Sequence, residues 1–267
     1  MITFGLFHSV VPDPDAKAFL QAAGINDTAI QIAVDHLVID LKAANLWTKM
    51  KAIYPMVGGI ANTCKYNLKD PRDLDAAYRK TFFNSPAIDA DGVKWNGVNQ
   101  YADTHLAPGA ALATRNITMA YYNLEDSAVG FDMGTYHLNP NRYDILTGDG
   151  LGSMYVAASG PGSVQPVSKG VVDKSGLYLV TSDNTTIYPY RNGVALATVS
   201  RAVNATPNTD TLYLGAENRV TATGGPVGFS TSKCGFSLVG EPVTPAEALT
   251  LSGIINHFMQ HMSKNTY

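Results

Sequence analysis

The sequence predicts a mainly β protein: an antiparallel β-sandwich preceded by a helical segment and closed by one C-terminal helix. Three observations carry that expectation. From about residue 90 onward, short β-prone runs recur between turn signals, about eleven of them before residue 240. Charged residues make up only 15% of the chain, while 24 Gly, 14 Pro and 14 Tyr favour many turns joined by short strands. Helical periodicity is confined to the two ends. The expected division is residues 1–85 as an N-terminal helical and attachment segment and residues 86–267 as the sandwich with its closing helix.

The elements follow in order. Residues 1–11 are apolar (Ile2, Phe4, Leu6, Phe7, Val10, Val11) with no Lys or Arg. They lack the charged start of a secretory signal and are too short to span a bilayer. Such a segment is expected either to complete the chain's own core or to contact another subunit. Asp13-Pro14-Asp15 is a helix start, and Ala16, Phe19, Leu20 and Ala23 recur at helical spacing until Gly24. Asn26-Asp27 opens a second helix with Ile30, Val34, Leu37, Val38 and Leu41 along one stripe. A strand-like run spans 51–57, and Asp70-Pro71 predicts a short third helix carrying Leu74 and Tyr78.

The predicted sandwich strands are 92–95, 98–104, 116–122, 129–133, 143–147, 153–157, 177–182, 186–190, 194–199, 211–215 and 235–239. Asn96-Gly97 and Asn192-Gly193 read as hairpin turns, because both central residues tolerate positive φ. Thr244-Pro245-Ala246-Glu247 is a capping box, and Leu251, Ile254, Ile255, Phe258 and Met262 give the following helix an apolar face.

The totals exclude several classes. A net charge of −3 without a basic stripe argues against a nucleic-acid surface. No apolar run approaches the length of a membrane-crossing helix, so membrane insertion is not expected. Cys64 and Cys234 lie far apart in no metal-binding spacing and read as two free thiols, with one long-range disulfide left open.

Five stretches in order resemble the laminin-G-like, concanavalin-A-like jelly roll. They are residues 93–104 (Val93-Lys94-Trp95-Asn96-Gly97 through Thr104), 116–122 (Asn116-Ile117-Thr118-Met119-Ala120-Tyr121-Tyr122), 177–197 with Tyr190-Arg191-Asn192-Gly193, Leu212-Tyr213-Leu214-Gly215, and 234–239 followed by the Thr244 capping box. Residues 46–59 (Leu46-Trp47-Thr48-Lys49-Met50 through Gly59) and 66–73 resemble a segment recurrent in virion proteins of phages infecting Bacteroidetes-type bacteria. That resemblance implies a structural or adhesive role on a phage particle, in a tail or fibre.

Relatives of this fold include endoglucanases whose two acids alternate along one strand. No such phrase occurs here, and Glu125-Asp126 are adjacent, so no enzymatic activity is expected. His257 and His261 have the i, i+4 spacing of a helical metal pair. Phe258 stands where a zinc protease carries its glutamate, so a boundary role at the apolar stripe is the simpler reading. His36 and Asp40 share that spacing and that reading. Gly148-Asp149-Gly150-Leu151-Gly152 lacks the lysine of a phosphate loop and reads as a turn. No cofactor is expected. Because relatives bind calcium at loop carboxylates, a structural calcium ion at Asp103, Asp132, Asp144, Asp149 or Asp210 stays open beside their reading as turn formers.

Sugar binding needs aromatic platforms and planar polar groups. Residues 134–143 supply both in an expected loop, which nominates Tyr136, His137, Asn139, Arg142 and Tyr143 as ligand-binding residues. The expected function is a non-catalytic virion structural or adhesion protein. Its partners are other virion subunits, including copies of itself, and host-surface glycan. A secreted lectin or carbohydrate-binding module is the alternative, with a glycoside hydrolase behind it.

Overall fold

The computed structural model describes residues 12–126, 128–138, 141–148, 153–160, 165–168, 173–202 and 206–266. The apolar segment 1–11 therefore lies outside the described residues. Among these residues, eighteen strands form two sheets. From edge to edge, the first sheet runs β13 (Val194–Ala195), β12 (Thr186–Arg191), β11 (Gly176–Ser182), β6 (Thr118–Asn123), β18 (Lys233–Gly240), β4 (Val93–Lys94) and β3 (Ala87–Ile88). In addition, β1 (Met50–Tyr54) pairs with β18 and β14 (Val199–Ser200) with β12. The second sheet runs β10 (Gln165–Ser168), β9 (Met154–Gly160), β8 (Asn141–Leu146), β7 (Met133–His137), β15 (Tyr213–Leu214), β5 (Tyr101–Asp103) and β2 (Thr81–Phe83). Beside β7, β16 (Glu217–Arg219) forms a hairpin with β17 (Gly225–Val227). All these pairings are antiparallel except the short contact of β16 with β7. The protein is the mainly β, antiparallel sandwich that the sequence predicts.

The first sheet is buried on both faces, and the reason is visible in its strands. In β11, Tyr178 and Val180 enter the core between the sheets, while Leu177 and Leu179 face the opposite way. There they meet a helical layer of α1 (Pro14–Ala23), α2 (Thr28–Ala43) and α6 (Pro245–His261), which contributes Phe19, Leu37, Leu41, Leu251, Ile255 and Phe258. A strand apolar on both faces must be covered on both. In β18 a bulge between Cys234 and Phe236 turns the first residue toward the inter-sheet core and the second toward the helices. Gly235 sits at that bulge, where an added Cβ would lie 2.8 Å from the Met259 methyl.

The helix boundaries follow the predicted caps. Asp13 caps α1 ahead of Pro14, Asp27 accepts from the Ile30 amide at 3.0 Å, and Gly24 closes α1 at φ 67°. Thr244 and Glu247 form the reciprocal capping box of α6. The hairpin at Asn192-Gly193 also forms, with φ values of 52° and 75° pairing Arg191 with Val194. Three short helical turns, α3 (Ala61–Cys64), α4 (Pro108–Ala111) and α5 (Val220–Thr223), complete the elements. No helix among the described residues is long and apolar enough to cross a membrane.

Three local expectations are corrected. The helix expected at Asp70-Pro71 is absent, with only a 3-10 turn at Asp75–Ala77. Side-chain bonds compete with it: Asn67 Oδ1 accepts from the amides of Ile53 and Lys69, and Asp70 pairs with Arg72. Asn96-Gly97 is not a hairpin but the crossing from β4 in the first sheet to β5 in the second. There Asn96 Oδ1 accepts from the amides of Val98, Asn99 and Gln100. The strand at Met50–Tyr54, assigned from sequence to the segment ahead of the sandwich, is paired into its first sheet.

Candidate functional site

With α1, α2 and α6 stacked on the first sheet, the second sheet turns its outer face away from that helical layer. Strand alternation decides what it presents. In β8, Tyr143 and Ile145 enter the inter-sheet core, so Arg142 and Asp144 face outward. In β7, Met133 points in, and Gly134 and Tyr136 point out.

The expected loop at 134–143 is thus a β-hairpin of β7 and β8, and it separates the nominated residues. Arg142 and Tyr136 share the outer face, with the guanidinium carbon 5.2 Å from the Tyr136 ring centroid. His137 Nδ1 lies 3.1 Å from Asp210 Oδ2. Tyr143 is buried between the sheets, its hydroxyl donating to the Arg115 carbonyl at 3.3 Å, and it offers no ring to a ligand. The period-two pleat explains that correction, since residues 142 and 143 must face opposite ways. Asn139 lies outside the described residues.

Around Arg142 the structure gathers a charge network that no local sequence phrase marked. Arg142 Nε donates to Asp144 Oδ2 at 2.6 Å, and its terminal nitrogen donates to Glu217 on β16. Arg219 holds the other oxygen of Glu217 and lies 5.0 Å from the Tyr136 ring. Gly134 makes the assembly fit, because an added side chain would collide with Asp144 and Glu217. Burial and the neighbouring Glu217 push the Asp144 carboxyl well above the usual range, outweighing Arg142. Asp144 Oδ1 is the buried oxygen of this pair that no protein donor reaches. Burial would lower Arg142, but Asp144 and Glu217 hold it above its usual value.

Two acids therefore do meet, from strands 73 residues apart in sequence numbering, but both are fully buried and bound by guanidinium groups. A hydrolase pair keeps its carboxylates roughly 5 Å or more apart with substrate between them. The pair here is an ion network that ties β16 to the sheet.

Toward the other edge of the same face stands a ladder of rings that the sequence reading missed. Phe83 on β2 stacks on Tyr101 of β5, with centroids 4.6 Å apart and planes 6° from parallel. Tyr101 stacks in turn on Tyr213 of β15 at 4.8 Å and 25°. Phe229 flanks Tyr101 at 6.3 Å. Burial graduates along the ladder: Tyr213 is 7% exposed and Phe83 is 38% exposed. Among the described residues β2 ends the sheet, and no strand pairs beyond Phe83. Amide side chains brace the ground beside it. Asn84 Nδ2 donates to the Asn99 carbonyl at 2.6 Å, and Gln100 Nε2 donates to the carbonyls of Asn84 and Ser85. Asn84 and Ser85 hold positive φ, 58° and 49°, which turns the chain back against Gln100. Period-two spacing of Tyr101 and Asp103 was legible, but the cross-strand register that stacks three rings was not.

The carboxylates considered for calcium are dispersed among protein donors. Asp132 accepts from the Thr147 amide and Ser230, Asp103 from the His105 amide, and Asp210 from Thr221. Asp149 lies outside the described residues. Both cysteines are buried free thiols, Cys234 being pushed up to about 12 by burial.

No family model and no curated protein matches the chain. Solved structures do. A Trypanosoma rangeli sialidase mutant displaying trans-sialidase activity matches 87% of the chain at 14% identity with a TM-score of 0.52. The T. rangeli sialidase bound to 2,3-difluoro-KDN matches 89% at 13% identity and 0.53. The chain spans about 40% of the length of these sialidases. Domain 4 of AbnA, an extracellular arabinanase from Geobacillus stearothermophilus, matches 76% of the chain at 14% identity and 0.45. At such identities the likeness is one of fold.

Proposed function

We propose that this protein is a non-catalytic adhesion module that binds glycan on the outer face of its second sheet. The observation that carries the proposal is the ring ladder ending in exposed Phe83, set beside the amide-rich crossing at Asn96–Gln100. Sugar rings stack their C–H faces on aromatic rings, and planar amides order hydroxyl groups. A ladder braced by neighbouring rings loses little side-chain entropy on binding. On the same face the half-buried Tyr136 and Arg219 extend the surface, with Arg142 buried beside them. The buried, guanidinium-bound acids Asp144 and Glu217 favour binding over cleavage. The segments at 46–59 and 66–73 support placing the module on a phage particle, in a tail or fibre, where host-surface glycan and neighbouring virion subunits are its partners.

Binding of the purified chain to a glycan array, followed by calorimetry on the ligands found, tests the reading. Phe83→Ala and Tyr101→Ala should each weaken binding about fivefold or more, in keeping with the roughly 1–3 kcal/mol scale of stacking on an aromatic ring. Reducing-end assays on the same glycans should show no turnover. An array without ligands, or equal binding by both variants, overturns the proposed face. Turnover abolished by Asp144→Asn would show a hydrolase instead. Mass spectrometry of purified phage particles tests the virion assignment.

A further inference from the structure

The helical layer carries a second constellation, independent of the ring ladder. The two i, i+4 pairs noted in the sequence, His36 with Asp40 on α2 and His257 with His261 on α6, are brought face to face by helix packing. His261 Nε2 lies 3.1 Å from His257 Nε2 and 3.5 Å from His36 Nδ1. Asp40 Oδ2 lies 3.2 Å from His257 Nδ1. We propose that His36, His257 and His261 form a site for a divalent transition-metal ion, with Zn2+ the best fit, that staples the C-terminal helix to α2.

An ionised Asp40 can only accept, so His257 carries its hydrogen on Nδ1 and leaves a lone pair on Nε2. The 3.1 Å contact then requires the hydrogen of His261 to sit on Nε2. That one N–H faces the lone pair of His257, and His36 Nδ1 lies close to the same point. One proton is shared where several nitrogens converge, which is the position a cation takes when it replaces the proton. Spacing agrees: ligands at about 2.0–2.1 Å around a tetrahedral zinc stand about 3.3 Å from one another. The two edges, 3.1 and 3.5 Å, bracket that value.

As the side chains stand, no group of three His, Cys, Asp or Glu among the described residues is placed to hold a metal ion, so the site forms only when the imidazoles turn toward one another. The site requires the His36 and His257 rings to turn until their nitrogens face the same point. Exposure permits it, since all three imidazoles lie at the surface. The remaining parts are in place. Donors at i, i+4 on one helix share a face, and a third from a facing helix makes the site depend on the packing of α2 against α6. The Asp40–His257 contact is the outer carboxylate–imidazole bond that fixes a ligand's tautomer. An all-imidazole set suits Zn2+, Cu2+, Ni2+ or Co2+ rather than Ca2+ or Mg2+. Three protein ligands leave a fourth position for water or for a side chain of a partner.

Calorimetric titration of the chelator-treated full chain with Zn2+ tests the site, with Co2+ as the spectroscopic probe. The expected results are one saturable ion per chain, the visible absorption of tetrahedral Co2+, and a rise in Tm with Zn2+. His36→Ala, His257→Ala and His261→Ala should each weaken binding more than about tenfold, and Asp40→Asn roughly 10-fold to 100-fold or less. His105→Ala, at the edge of the second sheet, should leave binding unchanged. The variants change surface side chains, and circular dichroism would confirm that they fold. The site is refuted by the absence of stoichiometric binding. It is also refuted if affinity in His36→Ala stays within twofold of the parent, or if His105→Ala loses as much as the cluster variants do.

Discussion

Lys80 gives the sharpest energetic prediction. Its side chain is 2% exposed, and its ammonium donates to Met56 Sδ at 2.9 Å and lies 4.4 Å from the Tyr54 ring centroid. Neither neighbour is a carboxylate. Burial lowers the Lys80 pKa from its usual 10.5 to about 8, only partly opposed by Cys64 and Cys234. Each pH unit between those values is worth about 1.4 kcal/mol, so the folded chain bears about 3 kcal/mol for keeping this amine charged at pH 7. Above its folded pKa the amine is neutral in the folded state and still protonated when unfolded. The unfolded chain then binds more protons, and stability rises with pH through the window from about 8 to 10.5. Lys80→Met removes the charge and keeps a flexible apolar chain. After allowing about 1 kcal/mol for imperfect packing, the variant should be about 2 kcal/mol more stable at pH 7. Urea denaturation of both proteins at intervals from pH 7 to 10.5 is the assay, read as a difference so that other titrating groups cancel. The advantage should vanish toward pH 10.5. A variant less stable than the parent at pH 7, or a difference that does not change with pH, would refute the reasoning.

Other predictions test the layers separately. Phe258 is 2% exposed and packs 5.7 Å from Phe236, so Phe258→Ala should cost about 3–5 kcal/mol in chemical denaturation. A cost below 1 kcal/mol would mean that α6 does not depend on this contact. Arg142→Met strands Asp144 and Glu217 together in the fold, and should destabilise by about 3–5 kcal/mol. Lowering the pH should reduce that loss as the two acids protonate; a loss that grows at low pH would argue against the network. Thr244→Ala removes the cap of α6 and should cost about 1 kcal/mol, with no change in the unfolding slope m.

The sequence disclosed the elements whose signals are local. The caps at Asp13, Asp27 and Thr244, the stop at Gly24 and the turn at Asn192-Gly193 each depend on a few adjacent residues, and each forms. The helix at Asp70 fails because Asn67 and Asp70 bind backbone and Arg72, a competition that periodicity does not register. The candidate site was less legible. Tyr143 was placed with Tyr136 because both are aromatic and close in sequence, whereas the pleat sends them to opposite faces. The ring ladder joins residues 83, 101 and 213, and the acid network joins 144 and 217. Such pairs appear only once register is known, since one residue of slip exchanges the faces.

The two sheets differ in a way that explains where recognition can reside. Strands β6 and β11 are apolar on both faces, so the first sheet must be covered, and the helices that cover it occupy that side of the molecule. The outer side of the second sheet carries Arg142, Asp144, Tyr136, Tyr213, Tyr101 and Phe83, of which Arg142, Asp144 and Tyr213 are buried and Phe83 is exposed. Its charged members compensate one another: Glu217 is shared by two guanidinium groups, and Asp144 is paired with Arg142. What this face offers a ligand is therefore ring surface and planar donors more than net charge. A ligand that is large, hydroxylated and weakly charged suits such a face better than a phosphate or a polyanion. Sensitivity to salt separates the two, because screening removes attraction between charges and leaves stacking in place. Binding that persists from low to high ionic strength follows from this surface; binding lost as salt rises would mean that Arg142 and Arg219, not the ring ladder, hold the ligand.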